Sequence, residues 1–384
     1  MKPNRAMKKP NPRYEQPLAT AAGGGGSQSA GAATLGALHP PLGFPPTLKD
    51  VHADPLQVRA LLLAREGVIE PSDTSVYAPR VRGADDRIWA LEPWVRQSLA
   101  MHDLLEPLVF SPLGGHPHGH IGLGVRGHSP FIELQRPPDR VFAAEMAQVL
   151  AYADLREDRA AEILSQIDSQ WAHWASVLPL RPDRAPRTLE LLTAGLQWAI
   201  TVVLRAKYLM NCPRPMDCSP QVQPLITTPG HGSCPMGHAV QSFLVAGILR
   251  ALLNLKETSP LNVQLQRTAF RISLNRVVAG LHFPVDLVAG MLLGQTLVRH
   301  AAQWAGDEHA AGVGSPVLFD MTRYQALGPL GGLNVGADLL REFEVVTQGS
   351  SPGTREKDGQ GKDSVWSVLW RAAQAEWAGW KHEG

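Results

Sequence analysis

The sequence predicts an all-α helical bundle behind an irregular N-terminal region, and three observations carry that expectation. From about residue 138 onward, apolar residues recur at three- and four-residue spacing in the segments 138–155, 158–178, 188–210, 238–255, 261–280 and 284–304. Helix punctuation falls at their ends: Thr188 after Pro186 reads as an N-cap, Pro213 stops the helix carrying Lys207, and Pro284 suits a first turn. Over the same stretch the strand signal is almost nil.

Taken in order, residues 1–45 are rich in Gly, Ala, Pro and Ser, with GGGG at 23–26. Such a stretch buries too little apolar surface to offset the entropy of ordering, so a disordered tail is expected. Pro and Gly interrupt residues 46–135, whose apolar runs are short, as in LEPLVF at 105–110. This part reads as an irregular region that wraps the core. Residues 136–305 hold the helices, and 306–384 form a C-terminal extension with a polar linker at 346–363. A last amphipathic helix follows at about 364–381, with Trp366, Trp370, Trp377 and Trp380 along one stripe. That stripe is expected to pack on the core or on a second subunit, the latter giving a homo-oligomer. Its polar side has too few Lys and Arg to favour a membrane surface.

Composition narrows the function. The chain has 36 Lys+Arg against 35 Asp+Glu, so no global basic field draws nucleic acid, and binding must come from a local cluster. A length of 384 residues with a 44% hydrophobic share is enough for a sizeable core. No run reaches the roughly 18 uninterrupted apolar residues of a membrane span. The best candidates, 238–255 and 284–300, are broken by Gln241, Arg250, Asp286 and Arg299. The basic N-terminus has no apolar stretch behind it, so a secretory signal is not expected and the cytoplasm is the default location. Three cysteines do not make a disulfide framework; Cys212, Cys218 and Cys234 read as small buried fillers, with a redox-sensitive pair as the sharper alternative. HPHGH at 116–120, near His128, reads as a surface loop folding toward the active-site mouth rather than a metal site. Asp154, Glu157, Asp158 and Glu162 read as a solvated helix face, and Gly230 and Gly232 follow no strand that would make them a dinucleotide fingerprint.

The chemistry lies in an ordered run of six residues: Lys207, Arg214, His238, Arg276, His282 and Asp286. Singly, each would read as a surface charge or a structural histidine. Together they suit a tetrahedral oxyanion, because three cationic side chains neutralise a phosphate-like group and Arg does so with a fixed fork of donors. Two histidines add what simple binding does not need. One can attack phosphorus or coordinate a metal, and the other can move a proton to or from a leaving group. Asp286, four residues after His282, is placed to accept the other imidazole N–H and hold the tautomer.

These residues fall in KYLMNCPRP at 207–215, PMGHA at 235–239 and NRVVAGLHFPVD at 275–286, and there the chain resembles the type 2 phosphatidic-acid phosphatase and vanadium haloperoxidase superfamily. The resemblance covers roughly residues 185–300 and implies a helical bundle of the acid phosphatase and vanadium haloperoxidase type. It implies that Lys207, Arg214, Arg276 and the backbone N–H of Gly237 grip the oxyanion. His238 would be the general acid or base. His282 would be the phosphoryl-accepting nucleophile or the axial vanadium ligand, with Asp286 behind it. The chain departs from the family at Met236, where Ser is usual, losing a hydroxyl donor worth ~1–3 kcal/mol if unreplaced. It departs more mildly at Asn275, where Ser is frequent.

Phosphate and vanadate are nearly isosteric, so the motif alone leaves two chemistries open. The 38 residues from His238 to Arg276 give a compact arrangement like that of acid phosphatases. His231, seven before His238, stands where bromide-oxidising haloperoxidases place a His, and with Met236 it marks a candidate halide or substrate pocket. The favoured expectation is a soluble phosphomonoester hydrolase that needs no cofactor and acts on a small phosphorylated substrate. The alternatives are a vanadate-dependent haloperoxidase and a degenerate protein that binds oxyanions without turnover.

Overall fold

The computed structural model describes residues 59, 63, 84–113, 119–167, 169–307, 317–319 and 364–380. Helices α1 (Ala84–Ala90) and α2 (Pro93–Leu105) lead into strands β1 (Leu108–Pro112), β2 (His120–Val125) and β3 (Ile132–Gln135). Helix α3 (Asp139–Ala151) passes through a 3-10 turn into α4 (Arg156–Ser165), followed by α5 (Trp171–Ala175) and the long α6 (Pro186–Met210). A short α7 (Pro215–Cys218) precedes α8 (Gly237–Leu252), α9 (Pro260–Val278) and α10 (Pro284–Trp304). Strand β4 (Val317–Phe319) and helix α11 (Val365–Glu376) complete the described elements. The all-α expectation holds for the bundle.

Three details differ from the sequence expectation, the last of them at the start of α6. Residues 84–135 are less irregular than expected, for they contain α1, α2 and three strands of a sheet ordered β1-β2-β3-β4. The first three strands pair antiparallel, Phe110 opposite Leu123 and Ile121 opposite Leu134, while β4 joins β3 in parallel. Gly122 and Gly124 lie within β2. A Cβ at Gly122 would lie 2.6 Å from Pro130 Cγ and one at Gly124 2.9 Å from Pro130 Cα, so glycine is what lets Pro130 cross this strand. Second, segment 158–178 is two helices. Ser169 Oγ accepts the N–H of Trp171 and restarts the helix there, the competition with backbone bonds that polar side chains offer.

Helix α8 is the bundle's centre, with most of its side chains buried and α6, α9 and α10 packed around it. Small residues let α10 approach it closely: a Cβ at Gly290 would stand 2.5 Å from Met236 O, and one at Gly294 2.7 Å from Val240 O. The stretch Pro186–Cys218 is long and apolar enough by length and composition to cross a membrane, with mean hydropathy 1.3, but 72% of that window is buried inside the fold. The sequence reading passes over it because Glu190, Arg205 and Lys207 interrupt the apolar run.

Helix α11 packs on α6 and α2, with Trp366 and Trp370 fully buried. Their indole N–H groups donate to Ala301 O at 2.9 Å and Asp307 Oδ2 at 3.0 Å, so this stripe faces the chain's own core with its polar edges satisfied. Thr188 is not the N-cap of α6; it lies inside the first turn, after Ala185 and Pro186. The free N–H groups of Arg187 and Thr188 donate instead to the carboxylate of Glu376, at 2.6 and 2.8 Å, and the Thr188 hydroxyl does the same at 2.8 Å. The expected tail at 1–45 and the linker at 346–363 lie outside the described residues.

Candidate active site

The motif residues converge from helix ends. Lys207 is in the last turn of α6, which stops at Asn211 in a left-handed conformation (φ 46°), a stronger terminator than Pro213 two residues on. Arg214 follows at the start of α7, Gly237 and His238 open α8, Asn275 and Arg276 end α9, and Asp286 lies in the first turn of α10, just after His282.

His282 Nδ1 lies 3.1 Å from Asp286 Oδ2. The same carboxylate oxygen accepts the Phe283 N–H at 2.9 Å, and Oδ1 accepts the Ser233 hydroxyl at 3.3 Å. A carboxylate on Nδ1 assigns the ring proton to that nitrogen and leaves the lone pair on Nε2, 3.5 Å from Arg214 Nη1. Burial, with Lys207, Arg214, His238 and His231 nearby, holds the imidazole pKa well below its usual range, so His282 is neutral near pH 7. Burial pushes Asp286 up to about 6, against the pull of its N–H and O–H donors.

The cations are fixed by carbonyls. Arg214 donates to His231 O and Leu281 O, each at 2.9 Å, and its Nη2 is 3.1 Å from His231 Nδ1. Lys207 Nζ donates to Gly232 O at 2.8 Å and Ser233 O at 2.5 Å, using two of its three N–H groups. Burial and the neighbouring Arg214 lower Lys207 to about 7. Arg276 donates Nη2 to Ile163 O at 2.8 Å and to Gln166 Oε1 at 3.0 Å. Its Nε and Nη1 are buried without a hydrogen-bond partner, and burial lowers the guanidinium to about 10. Buried guanidinium donors left unpaired in this way are costly unless a ligand takes them up.

His238 Nε2 lies 3.1 Å from Gln166 O. A carbonyl can only accept, so Nε2 carries hydrogen and Nδ1 is the basic nitrogen of the neutral ring. Residues absent from the sequence motif complete the surroundings. Gln166 Oε1 also accepts Asn275 Nδ2 at 3.1 Å, Arg159 Nη1 donates to Asn275 Oδ1 at 3.2 Å, and Glu145 Oε2 accepts the Val285 N–H at 3.0 Å. Arg156 donates to Val222 O, Gln223 O and Val278 O, tying the loop before the PMGHA block to the end of α9. Ser233, between two motif positions, was the one with a visible signal.

A cleft of about 1850 Å³ opens on Arg214, His231 and Gly232. Phe142, Met146, Ile167, Leu225 and Ile226 give it apolar walls, and its volume exceeds the ~300–1,000 Å³ usual for small-ligand sites. Met236 does not line it. That side chain is 0% exposed within the core, and its backbone N–H donates to Asp286 O at 2.9 Å. Met236→Ser is therefore expected to lower stability by ~2–4 kcal/mol, the cost of emptying a core site, with vanadate affinity unchanged. Thermal melts and vanadate titration of the same variant check this, and a tightening of tenfold would place position 236 in the cradle after all. Cys212 and Cys234 are buried, and burial raises the Cys234 thiol well above its usual pKa, which suits inert fillers, whereas Cys218 is exposed at the end of α7 and is not a buried filler. Of the 116–120 histidines, His116 and His118 lie outside the described residues; His120 is on β2, 3.3 Å from Glu133. Among the described residues no group of three His, Cys, Asp or Glu is placed to hold a metal ion.

Two histidines, one of them backed by a carboxylate, thus lie in a region with three buried cations. Residues 189–310 match the PAP2 superfamily. The PAP2 segment spans about a third of the chain and contains every site residue expected from sequence, from Lys207 to Asp286. Glu145, Arg156, Arg159 and Gln166 lie upstream of it. No curated protein matches the chain.

Proposed function

We propose that the protein hydrolyses phosphomonoesters through a phosphohistidine at His282. The match to the PAP2 superfamily over residues 189–310 supports phosphatase- or haloperoxidase-type chemistry in general. The observation that carries the finer reading is the neutral, Asp286-backed imidazole whose Nε2 faces Arg214 within the cradle. In this mechanism the Nε2 lone pair attacks phosphorus and the ester P–O bond breaks. Lys207, Arg214 and Arg276 stabilise charge on the phosphoryl oxygens, with the Gly237 N–H at the start of α8 as a further donor. His238, protonated, gives its Nδ1 proton to the leaving alkoxide; as a base it then takes one from the water that cleaves the phosphohistidine. The cleft beside Arg214 has room for the organic half of an ester.

A second reading is favoured by the contact of His231 with Arg214, at the position where the family resemblance puts a halide-selecting residue. Vanadate fits the same donors: His282 Nε2 and the three cations would hold it, and when bound it activates peroxide for halide oxidation. Purified protein assayed with p-nitrophenyl phosphate, and in parallel with vanadate, peroxide and bromide, separates the readings. Phosphate release inhibited by vanadate, without bromide oxidation, is the expected result. Bromide oxidation alone would replace the phosphatase, and oxyanion binding without either turnover would mean a binding protein.

The pKa shifts set a pH profile. Asp286 must be ionised to hold His282, so kcat/KM is expected to fall as pH drops through about 6. Lys207 must be protonated to bind a dianion, so it is expected to fall again as pH rises through about 7. Phosphate raises the Lys207 pKa when it binds, so binding near pH 8 should take up close to one proton, measurable by calorimetry in buffers of different ionisation enthalpy. A flat profile with no proton uptake would contradict these assignments.

A further inference from the structure

We propose that Gln166, at the C-terminal end of α4, is a positioning residue that sets the oxyanion-binding face of Arg276 and the ring of His238 together. The proposal rests on the cradle being an oxyanion site. Gln166 lies outside the PAP2 segment and belongs to none of the three motif blocks. Yet it is completely buried and meets both halves of the site. Its side-chain Oε1 accepts Arg276 Nη2 at 3.0 Å and Asn275 Nδ2 at 3.1 Å, while its backbone O accepts His238 Nε2 at 3.1 Å.

These contacts have separate consequences. A guanidinium is planar, so fixing Nη2 against Gln166 Oε1 and Ile163 O fixes the plane and leaves Nε and Nη1 as the buried edge without protein partners. The carbonyl contact fixes the His238 tautomer, with Nδ1 as the transferring nitrogen. Carbonyls at a helix C-terminus carry partial negative charge, which suits both cationic partners. Asn275, the departure from the usual Ser, donates to the same oxygen and is itself held by Arg159. The chain thus carries a relay from Arg159 through Asn275 and Gln166 to Arg276.

The test separates side chain from backbone. Gln166→Met keeps the volume and the backbone carbonyl but removes the acceptor oxygen. Phosphate affinity by calorimetry is expected to weaken roughly tenfold, the equivalent of one hydrogen bond to a charged group. Turnover of bound substrate should stay within about threefold of the parent, because the backbone contact to His238 survives. In an Arg276→Ala background the same change should alter phosphate affinity by less than about twofold, since nothing remains to be positioned. Should Gln166→Met fail to fold, Gln166→Glu retains the acceptor, and its charge beside Arg276 should weaken phosphate by more than roughly tenfold. A folded Gln166→Met or Gln166→Glu variant that binds phosphate within threefold of the parent overturns the role of Gln166 alone, as does an effect of Gln166→Met undiminished without Arg276. A parent that binds neither phosphate nor vanadate overturns the oxyanion reading, and this inference with it.

Discussion

His282→Ala is expected to reduce kcat by roughly 10⁵–10⁶, the scale on which losing a covalent nucleophile acts, and to abolish any trapped phosphoenzyme. The argument is one of geometry and charge state. The imidazole is neutral because burial and the neighbouring cations disfavour a further positive charge, and Asp286 directs its proton to Nδ1. The cations are poor substitutes for Nε2, since Lys207 has two N–H groups on carbonyls and the arginines are not nucleophiles, and His238 is assigned to proton transfer. The variant should still fold. Asp286 keeps the Phe283 N–H and the Ser233 hydroxyl, so the lost partner costs about 1–3 kcal/mol. Acid-quenched single turnovers and a thermal melt of the same sample read both quantities. Turnover within threefold of the parent would remove His282 from the chemistry.

His238→Ala should slow turnover by ~10²–10⁴ while sparing phosphate binding. The acid's contribution grows as the leaving alkoxide becomes more basic, so the loss should be larger for an alkyl phosphate than for p-nitrophenyl phosphate. Equal losses on the two substrates would argue against proton donation. If phosphate binding disappeared from a folded variant, His238 would be a binding residue instead. Because Gln166 O holds Nε2, His238→Asn should not restore activity, even if its amide re-forms that one hydrogen bond.

The parts of this site that could be read from sequence are those whose chemistry depends on residue type. Lys207, Arg214, His238, Arg276, His282 and Asp286 sit at spacings that place them at helix ends, and the apolar period locates those ends. What escaped reading acts through position. Ile163 and Gln166 present backbone carbonyls, a role that no residue type announces. Strand β2 was hidden because its glycines answer to Pro130 rather than to strand propensity. Met236 shows the opposite error: measured against the family it reads as a gap in the cradle, whereas its packing makes it core. Local sequence points to Thr188 as the cap of α6, since a carboxylate 188 residues away leaves no local trace.

That distant carboxylate bears on how the protein is made. Helix α6 carries Lys207 at one end, and the N–H groups at its other end find their acceptor in Glu376, well beyond the last motif block. During synthesis at roughly 5–20 residues per second, the motif blocks emerge while the first turn of α6 still waits for that acceptor. The nascent chain thus holds all of its chemistry before it holds its brace. A nascent chain halted just short of Glu376 would display a bundle in which α6 frays at its start, and addition of Glu376 would close it.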